Sequence, residues 1–269
     1  MSAVVVIPVY KPDMNPYEEL SFRNCCEVLR QHPIHLITFK DLSLDRYREV
    51  YDGFKVTFFD PSYFESISGY NRLMLSLDFY NAFRSFDFML IHQLDAYVFR
   101  DELGFWCDQG FDYIGAPWIT KDGDELWRVG NGGFSLRNIP SFINVLDNRK
   151  PVYRYRQLLA QYQEIHDRKR IFSIISSLVR STGFRNNVQF FVQSFMHNED
   201  WFWSEIAREV DERFKVSDVH TGLKFSFEYL PGMLYTMNNN KLPFGCHAWE
   251  KSPGFWESHI PGMKKLLQA

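Results

Sequence analysis

Residues 3–10, AVVVIPVY, form an almost uninterrupted run of β-branched and apolar side chains. A strand with one wet face would alternate apolar and polar residues. This run does not, so it needs cover on both faces, as in the parallel sheets of α/β proteins. The residues that follow obey the same constraint. NPYEELSFRNCCEVLRQHP carries apolar residues at helical spacing, and IHLITFK and KVTFFD read as second and third strands. SGYNRLMLSLDFYNAFRSF reads as one amphipathic helix delivering the chain into a fourth strand, DFMLIHQLDAYVF. Strands alternating with helices predict an α/β class with a mainly parallel central sheet, right-handed crossovers and flanking helices. Ligands of such sheets collect outside the carboxyl ends of the strands. Asp95 stands near one such end, where a carboxylate needs a pair, hydrogen bonds or a metal.

Past about residue 111 the texture changes. FDYIGAPW is short and turn-rich, RVGNGGFSLRN places three glycines within residues 130–133, and helical segments follow. A basic helical segment spans 149–185 and contains RKRIFSIISSLVR. Two readings stay open for it. One is a solvated helix face docked by its apolar side, and the other is a surface for anionic lipid or a lipid-linked acceptor.

Composition excludes several classes. A net charge of −3 over 269 residues gives no basis for non-specific nucleic-acid binding. The four cysteines, Cys25, Cys26, Cys107 and Cys246, include no C-x-x-C pair, which argues against a zinc ribbon or a disulfide framework. MSAVVVIPVYK lacks the basic start of a signal peptide, and no window reaches the apolar length of a membrane span. The expectation is a cytoplasmic protein with no transmembrane segment. An aromatic content of 17% suits a bulky core and equally suits the faces of sugars or nucleobases.

Four stretches could carry chemistry: HQLDAYVF, VGNGGFSLRN, HNEDWFW and PFGCHAWE. Each alone has an ordinary explanation, as a helix cap, a tight turn, a helix start or a core histidine. GNGG matches neither the dinucleotide fingerprint nor the P-loop. Together and in this order they resemble the GT-A-fold glycosyltransferases, and within them a glycosyltransferase-like bacterial and fungal family. The matching positions are Gln93-Leu94-Asp95, Ile114 to Trp118, Asn131 to Arg137, Glu199-Asp200 and Pro243 to Trp249.

That resemblance implies a single GT-A-like domain. Residues from 1 to about 120 would form a Rossmann-like, nucleotide-sugar-binding half, and those from about 121 to 269 an acceptor-binding half. It also implies transfer of a sugar from a nucleotide-sugar donor to a saccharide or lipid-linked glycan, with inversion, as in bacterial surface polysaccharide synthesis. Peripheral contact with the inner face of a membrane goes with a lipid-linked acceptor. Asp95 matches the last acid of the family's Asp-x-Asp, and Gln93 replaces the first. His247 matches a further metal ligand, and the ion expected for such donors is Mn²⁺ or Mg²⁺. Asp200 is the expected base, with Glu199 positioning the acceptor or sharing the role. Asn131, Gly132 and Gly133 would let backbone N–H groups approach the sugar. Pro8, Val9 and Tyr10 are base-site candidates, Lys11 and Arg72 are phosphate candidates, and Trp118, Trp201 and Trp249 are candidate stacking faces. Loss of one acid at Gln93 keeps a second possibility open, a non-catalytic carbohydrate-binding protein. A nucleotidyltransferase is disfavoured because IPVYKPDMNPYEE has no glycine after the first strand.

Overall fold

The computed structural model describes residues 1–120, 123, 125–154, 156–160 and 170–267. Four strands, β1 (Ala3–Pro8), β2 (Ile34–Thr38), β3 (Lys55–Phe58) and β4 (Phe88–His92), lie parallel in the order β3-β2-β1-β4. The β-branched run is the central strand, and Val4, Val5, Val6 and Ile7 are fully buried. Val5 and Ile7 pack with Phe22, Leu36 and Leu90 on one face. Val4 and Val6 pack with Leu73, Phe79 and Ile91 on the other. The helix Pro16–Val28 covers the first face. It starts with a capping box, in which the Asn15 side chain accepts from the Tyr17 and Glu18 amides and Glu18 accepts from the Asn15 amide at 2.8 Å.

Two expected elements are divided. The chain from residue 88 to 98 is not one strand. The Gln93 amide donates to the Gly133 carbonyl at 2.8 Å and the Ala96 amide to the Gln93 carbonyl at 3.0 Å, closing a turn through Gln93-Leu94-Asp95. The chain then enters a separate short strand, β5 (Ala96–Val98). Asp95 therefore sits on a turn at the mouth of the sheet and not inside a strand. The expected single helix is likewise two, Ile67–Met74 and Leu77–Ala82. Ser76 ends the first, its hydroxyl donating to the Leu73 carbonyl, and caps the second by accepting from the Phe79 amide.

The second half completes the sheet of the first. After β6 (Tyr113–Ile114) comes a hairpin of β7 (Pro117–Ile119) and β8 (Leu126–Val129), then β9 (Phe134–Asn138). β9 runs antiparallel between β4 and β6. The central sheet is thus mostly parallel, with β9 alone running against the other five strands. A second sheet, in the order β10-β11-β5, joins β10 (Ser226–Phe227) and β11 (Gly245–His247) to β5. Its register sets His247 opposite Ala96 and Cys246 beside Phe227, so Glu228 follows next to His247.

The four cysteines are free and buried. Among the described residues no helix is long and apolar enough to cross a membrane. Of the basic segment, residues 155 and 161–169 lie outside the described residues. The helix Arg170–Arg180 is described, and Ile174, Ile175, Leu178 and Val179 on it are exposed.

The two-faced burial of β1 generates a stability prediction. Ile7→Ala removes buried methyl groups from the central strand and should cost about 2–5 kcal/mol. Urea unfolding should show a lower midpoint with an unchanged m-value.

Candidate functional site

A cleft of ≈ 810 Å³ opens where β1 and β4 end. It draws residues from distant places in the chain, among them Pro8 and Tyr10 at the end of β1, Tyr70 and Asn71 on the helix Ile67–Met74, the Gln93–Asp95 turn, Asn131 to Gly133 before β9, and Asn198 to Asp200. Glu228 and His247 from the second sheet complete it, together with Glu250 and Lys251. The groups at Asp95, Glu199-Asp200 and His247, separate in the sequence, line one cavity. A second hollow of ≈ 910 Å³ lies beside Lys150, Arg154 and Arg213. Its Arg213 is already paired with Asp211 at 2.8 Å, and it gathers no comparable set of groups.

His247 is the hub of one wall. Its Nε2 lies 3.1 Å from Asp95 Oδ1 and 3.1 Å from Gln93 Oε1, and its Nδ1 lies 3.1 Å from Glu228 Oε1. Burial alone would disfavour the imidazolium. The two flanking carboxylates outweigh it and raise the pKa to about 10. Asp95 feels burial in the opposite sense, and contact with His247 holds its carboxyl below the usual range.

The donor set can be tested against a divalent ion. Two ligands at about 2.1 Å and at right angles stand roughly 3 Å apart. Asp95 Oδ1 and Gln93 Oε1 stand at that distance from one nitrogen, His247 Nε2. Loss of the Nε2 proton to a bound cation would leave the Nε2 lone pair on the Asp95 and Gln93 side with Glu228 behind Nδ1, the outer-carboxylate arrangement common around metal-bound histidines. Among the described residues no three His, Cys, Asp or Glu side chains converge as a metal site, and the third donor here is an amide oxygen. The residues fit a hard or borderline ion with room for further oxygen ligands. The charge balance points the same way. Among the described lining residues Glu65, Asp95, Asp200, Glu228 and Glu250 stand against Lys251 and the protonated His247, while Glu18 and Glu199 are already paired with Lys11 and Arg137.

The acidic pair on the opposite wall divides its work. Glu199 is buried and its Oε1 accepts from Arg137 Nη2 at 2.8 Å. Arg137, on β9, is itself fully buried and also donates to the Tyr80 hydroxyl at 2.9 Å. Glu199 therefore serves as the counter-charge of a buried guanidinium. Asp200 is the freer acid. Its Oδ2 accepts from the Asn131 amide at 3.0 Å and its Oδ1 from the Trp201 amide at 2.8 Å. Burial pushes its pKa up, and those two amides act against the rise. A wide π-helical turn, Phe202–Ile206, follows at once, a local irregularity frequent at functional sites. The Glu199 amide donates to Asn71 at 3.3 Å, tying the motif to the helix Ile67–Met74.

The glycine-rich segment, which lines the cleft, also needs its glycines for the protein's own packing. A Cβ on Gly132 would stand 1.9 Å from Glu199 Oε1, and one on Gly133 would stand 2.1 Å from His247 Nε2. The missing side chains make room for the protein's own charged groups. Asn131 adopts a left-handed φ of 62°, which aims its amide at Asp200.

The remaining sequence candidates separate. Pro8 and Tyr10 line the cleft, and Tyr10 is exposed. Val9 is fully buried, and its amide donates to the Ile37 carbonyl in line with the sheet. Lys11 is paired with Glu18 at 2.7 Å, and Arg72 reaches towards the Ser62 carbonyl at 3.5 Å. Trp249 is not a stacking face. It is fully buried, with its ring against Tyr17 and Tyr97. Sequence reasoning missed Glu228, which sits on no motif and gains its place only through the β10–β11 register. It also missed Tyr70, whose buried hydroxyl lies beside the Gln93 amide.

With this geometry in hand, comparison with known proteins gives one family. A model described as "Protein of unknown function (DUF5672)" matches residues 53–247. The chain belongs to that family. No curated protein matches the sequence. Among solved structures, the chain is similar to the galactosyltransferase LgtC in complex with donor and acceptor sugar analogs. That match has 10% identity, covers 98% of this chain and 94% of that one, and has a TM-score of 0.48. It is similar also to mouse xyloside xylosyltransferase 1 in its apo form, at 12% identity over 92% and 97% of the two chains, TM-score 0.47. A third is a glycosyltransferase involved in glycosylation of the major capsid of PBCV-1, at 12% identity over 97% and 98%, TM-score 0.44.

The His247 environment predicts a pH dependence of stability. An imidazole raised from 6.5 to about 10 binds its proton more tightly in the folded chain. Its contribution is complete below the unfolded value and is lost as pH rises through the folded one. Urea denaturation in EDTA should therefore show stability declining between pH 7 and 10. The His247→Gln variant should lose that part of the slope.

Proposed function

We propose that the protein is a glycosyltransferase that uses a nucleotide-sugar donor and a saccharide or lipid-linked glycan acceptor, with inversion. One observation carries the reading. A carboxylate with a raised pKa, Asp200, lines the same cleft as the Gln93, Asp95 and His247 donor set. A transferase needs both parts. Negative charge develops on the leaving diphosphate, and the attacking hydroxyl must lose a proton.

In this reading Asp200 accepts the acceptor's hydroxyl proton. The Asn131 and Trp201 amides hold the carboxylate in one orientation, and burial makes it a stronger base than a surface aspartate. Asp95, Gln93 and His247 would hold Mn²⁺ or Mg²⁺, which when bound supplies positive charge to the diphosphate. The unpaired carboxylates would favour such an ion, because an anionic donor would otherwise enter a negative cleft. Pro8 and Tyr10 lie on the side assigned to the base. Glu199 acts through Arg137 as a positioning residue. The acidic lining also suits a neutral sugar held without turnover, which keeps a carbohydrate-binding protein as the competing reading.

Thermal shift against UDP-, GDP- and CMP-sugars, with Mn²⁺ and with EDTA, separates the two. The transferase reading expects stabilisation by one donor only with the ion present, roughly 2–3 kcal/mol near saturation. Asp200→Asn should keep that shift while lowering transfer by about 10²–10⁴-fold. Silence of every donor under both conditions would withdraw the proposal.

A lipid-linked acceptor draws support from the exposed Ile174, Ile175, Leu178 and Val179 on the helix Arg170–Arg180. Co-sedimentation with phosphatidylglycerol vesicles at low salt should occur, and Leu178→Glu should abolish it. Full recovery of the wild-type protein in the supernatant would restrict the acceptor to a soluble glycan.

A further inference from the structure

Three indole rings meet beside Asp200. Trp118 on β7, Trp127 on β8 and Trp201 stand with ring centroids 5.6 to 6.0 Å apart and planes inclined by 19° to 41°. Trp118 and Trp201 are half-buried, whereas Trp127 is 48% exposed. A large aromatic surface left open to water costs free energy unless something covers it in use.

The cluster is held in place from the cleft outward. Trp201 directly follows Asp200, and its amide donates to that carboxylate. Trp118 presses on the backbone of the glycine-rich segment so closely that a Cβ on Gly130 would stand 2.0 Å from its ring. Trp127 has the Arg128 guanidinium 5.1 Å from its ring centroid, and Arg128 is ion-paired with Glu205 on the π-helical turn. The rings are therefore a fixed surface continuous with the residues that hold Asp200.

We infer that these three tryptophans form a binding platform for the acceptor, and that the acceptor is an uncharged oligosaccharide. This rests on the sugar-transfer reading of the cleft. Pyranose rings present C–H faces that pack on indole, and an aromatic surface needs no charge on its ligand. Asp200 beside Trp201 would repel an anionic chain and can accept a hydrogen bond from a sugar hydroxyl, and the Arg128 cation beside Trp127 is already paired with Glu205. The platform takes the sugar units beyond the attacking hydroxyl, with Trp127 as the outermost contact.

The test titrates the full chain with cellohexaose, chitohexaose, mannohexaose and maltohexaose, read by tryptophan fluorescence and by calorimetry. At least one should give a saturable change in emission. Trp127→Ala should weaken its binding by about tenfold, and Trp127→Phe should recover most of the loss. The donor-induced thermal shift in Mn²⁺ should be the same in both variants. Four silent oligosaccharides, or equal affinity in wild type and Trp127→Ala, would overturn the platform. So would a Trp127→Ala effect confined to self-association in light scattering. A donor shift without oligosaccharide binding refutes the platform and leaves the transferase standing. Oligosaccharide binding without any donor shift does the reverse.

Discussion

The Arg137 guanidinium is the constraint on which the site depends. It is fully buried on β9, and a charge there is tolerable only when paired and hydrogen-bonded on all sides. Glu199 supplies the counter-charge, while the Tyr80 and Ser135 hydroxyls, the Gly132 carbonyl and the Met74 sulfur accept the other N–H groups. This set draws the acidic motif inward and pins it against the sheet. With Glu199 committed to the interior, its neighbour on the helical turn faces the cleft. Asp200 can be a free acid because Glu199 is not.

The opposite wall follows from strand register. The turn at Gln93–Asp95 ends β4 and starts β5, and β5 pairs with β11 so that His247 faces Ala96. Phe227 opposite Cys246 then leaves Glu228 against the far side of the imidazole. A slip of one residue in either pairing would turn His247 to the other face of the small sheet and dissolve the wall. Gly133 belongs to the same arrangement, since any side chain there would occupy the space of His247 Nε2.

Much of this could be read from the sequence, and the unread parts share a cause. AVVVIPVY located the central strand because burial on both faces leaves a compositional mark. The acid, glycine and histidine motifs, each ordinary alone, were drawn together only by the family resemblance of their order. Glu228 was not, since an isolated acid after a two-residue strand looks like any surface glutamate. Trp249 and Val9 were read as ligand contacts for want of the burial that only packing reveals. The need for glycine at 132 and 133 to make room for Glu199 and His247 was invisible, because it arises from packing between distant segments. The break at Ser76 was hidden because Leu75 and Leu77 preserve the apolar texture across it.

Gln93 bears on the metal question in a way the structure changes. Judged by sequence, an amide in place of an acid removes one charge from the ion-binding turn. In the fold, the Glu228 carboxylate lies 3.1 Å from the outer nitrogen of His247, within one side chain of that turn. A carboxylate behind an imidazole raises its basicity as a ligand, so charge missing from the inner set is restored one bond further out. Gln93 meanwhile contributes a neutral oxygen at the same distance from Nε2 as Asp95. Under the proposed reading, the loss at position 93 and the gain at position 228 are one adjustment. They keep the wall negative enough to hold a cation and leave fewer fixed charges in direct line with an incoming phosphate.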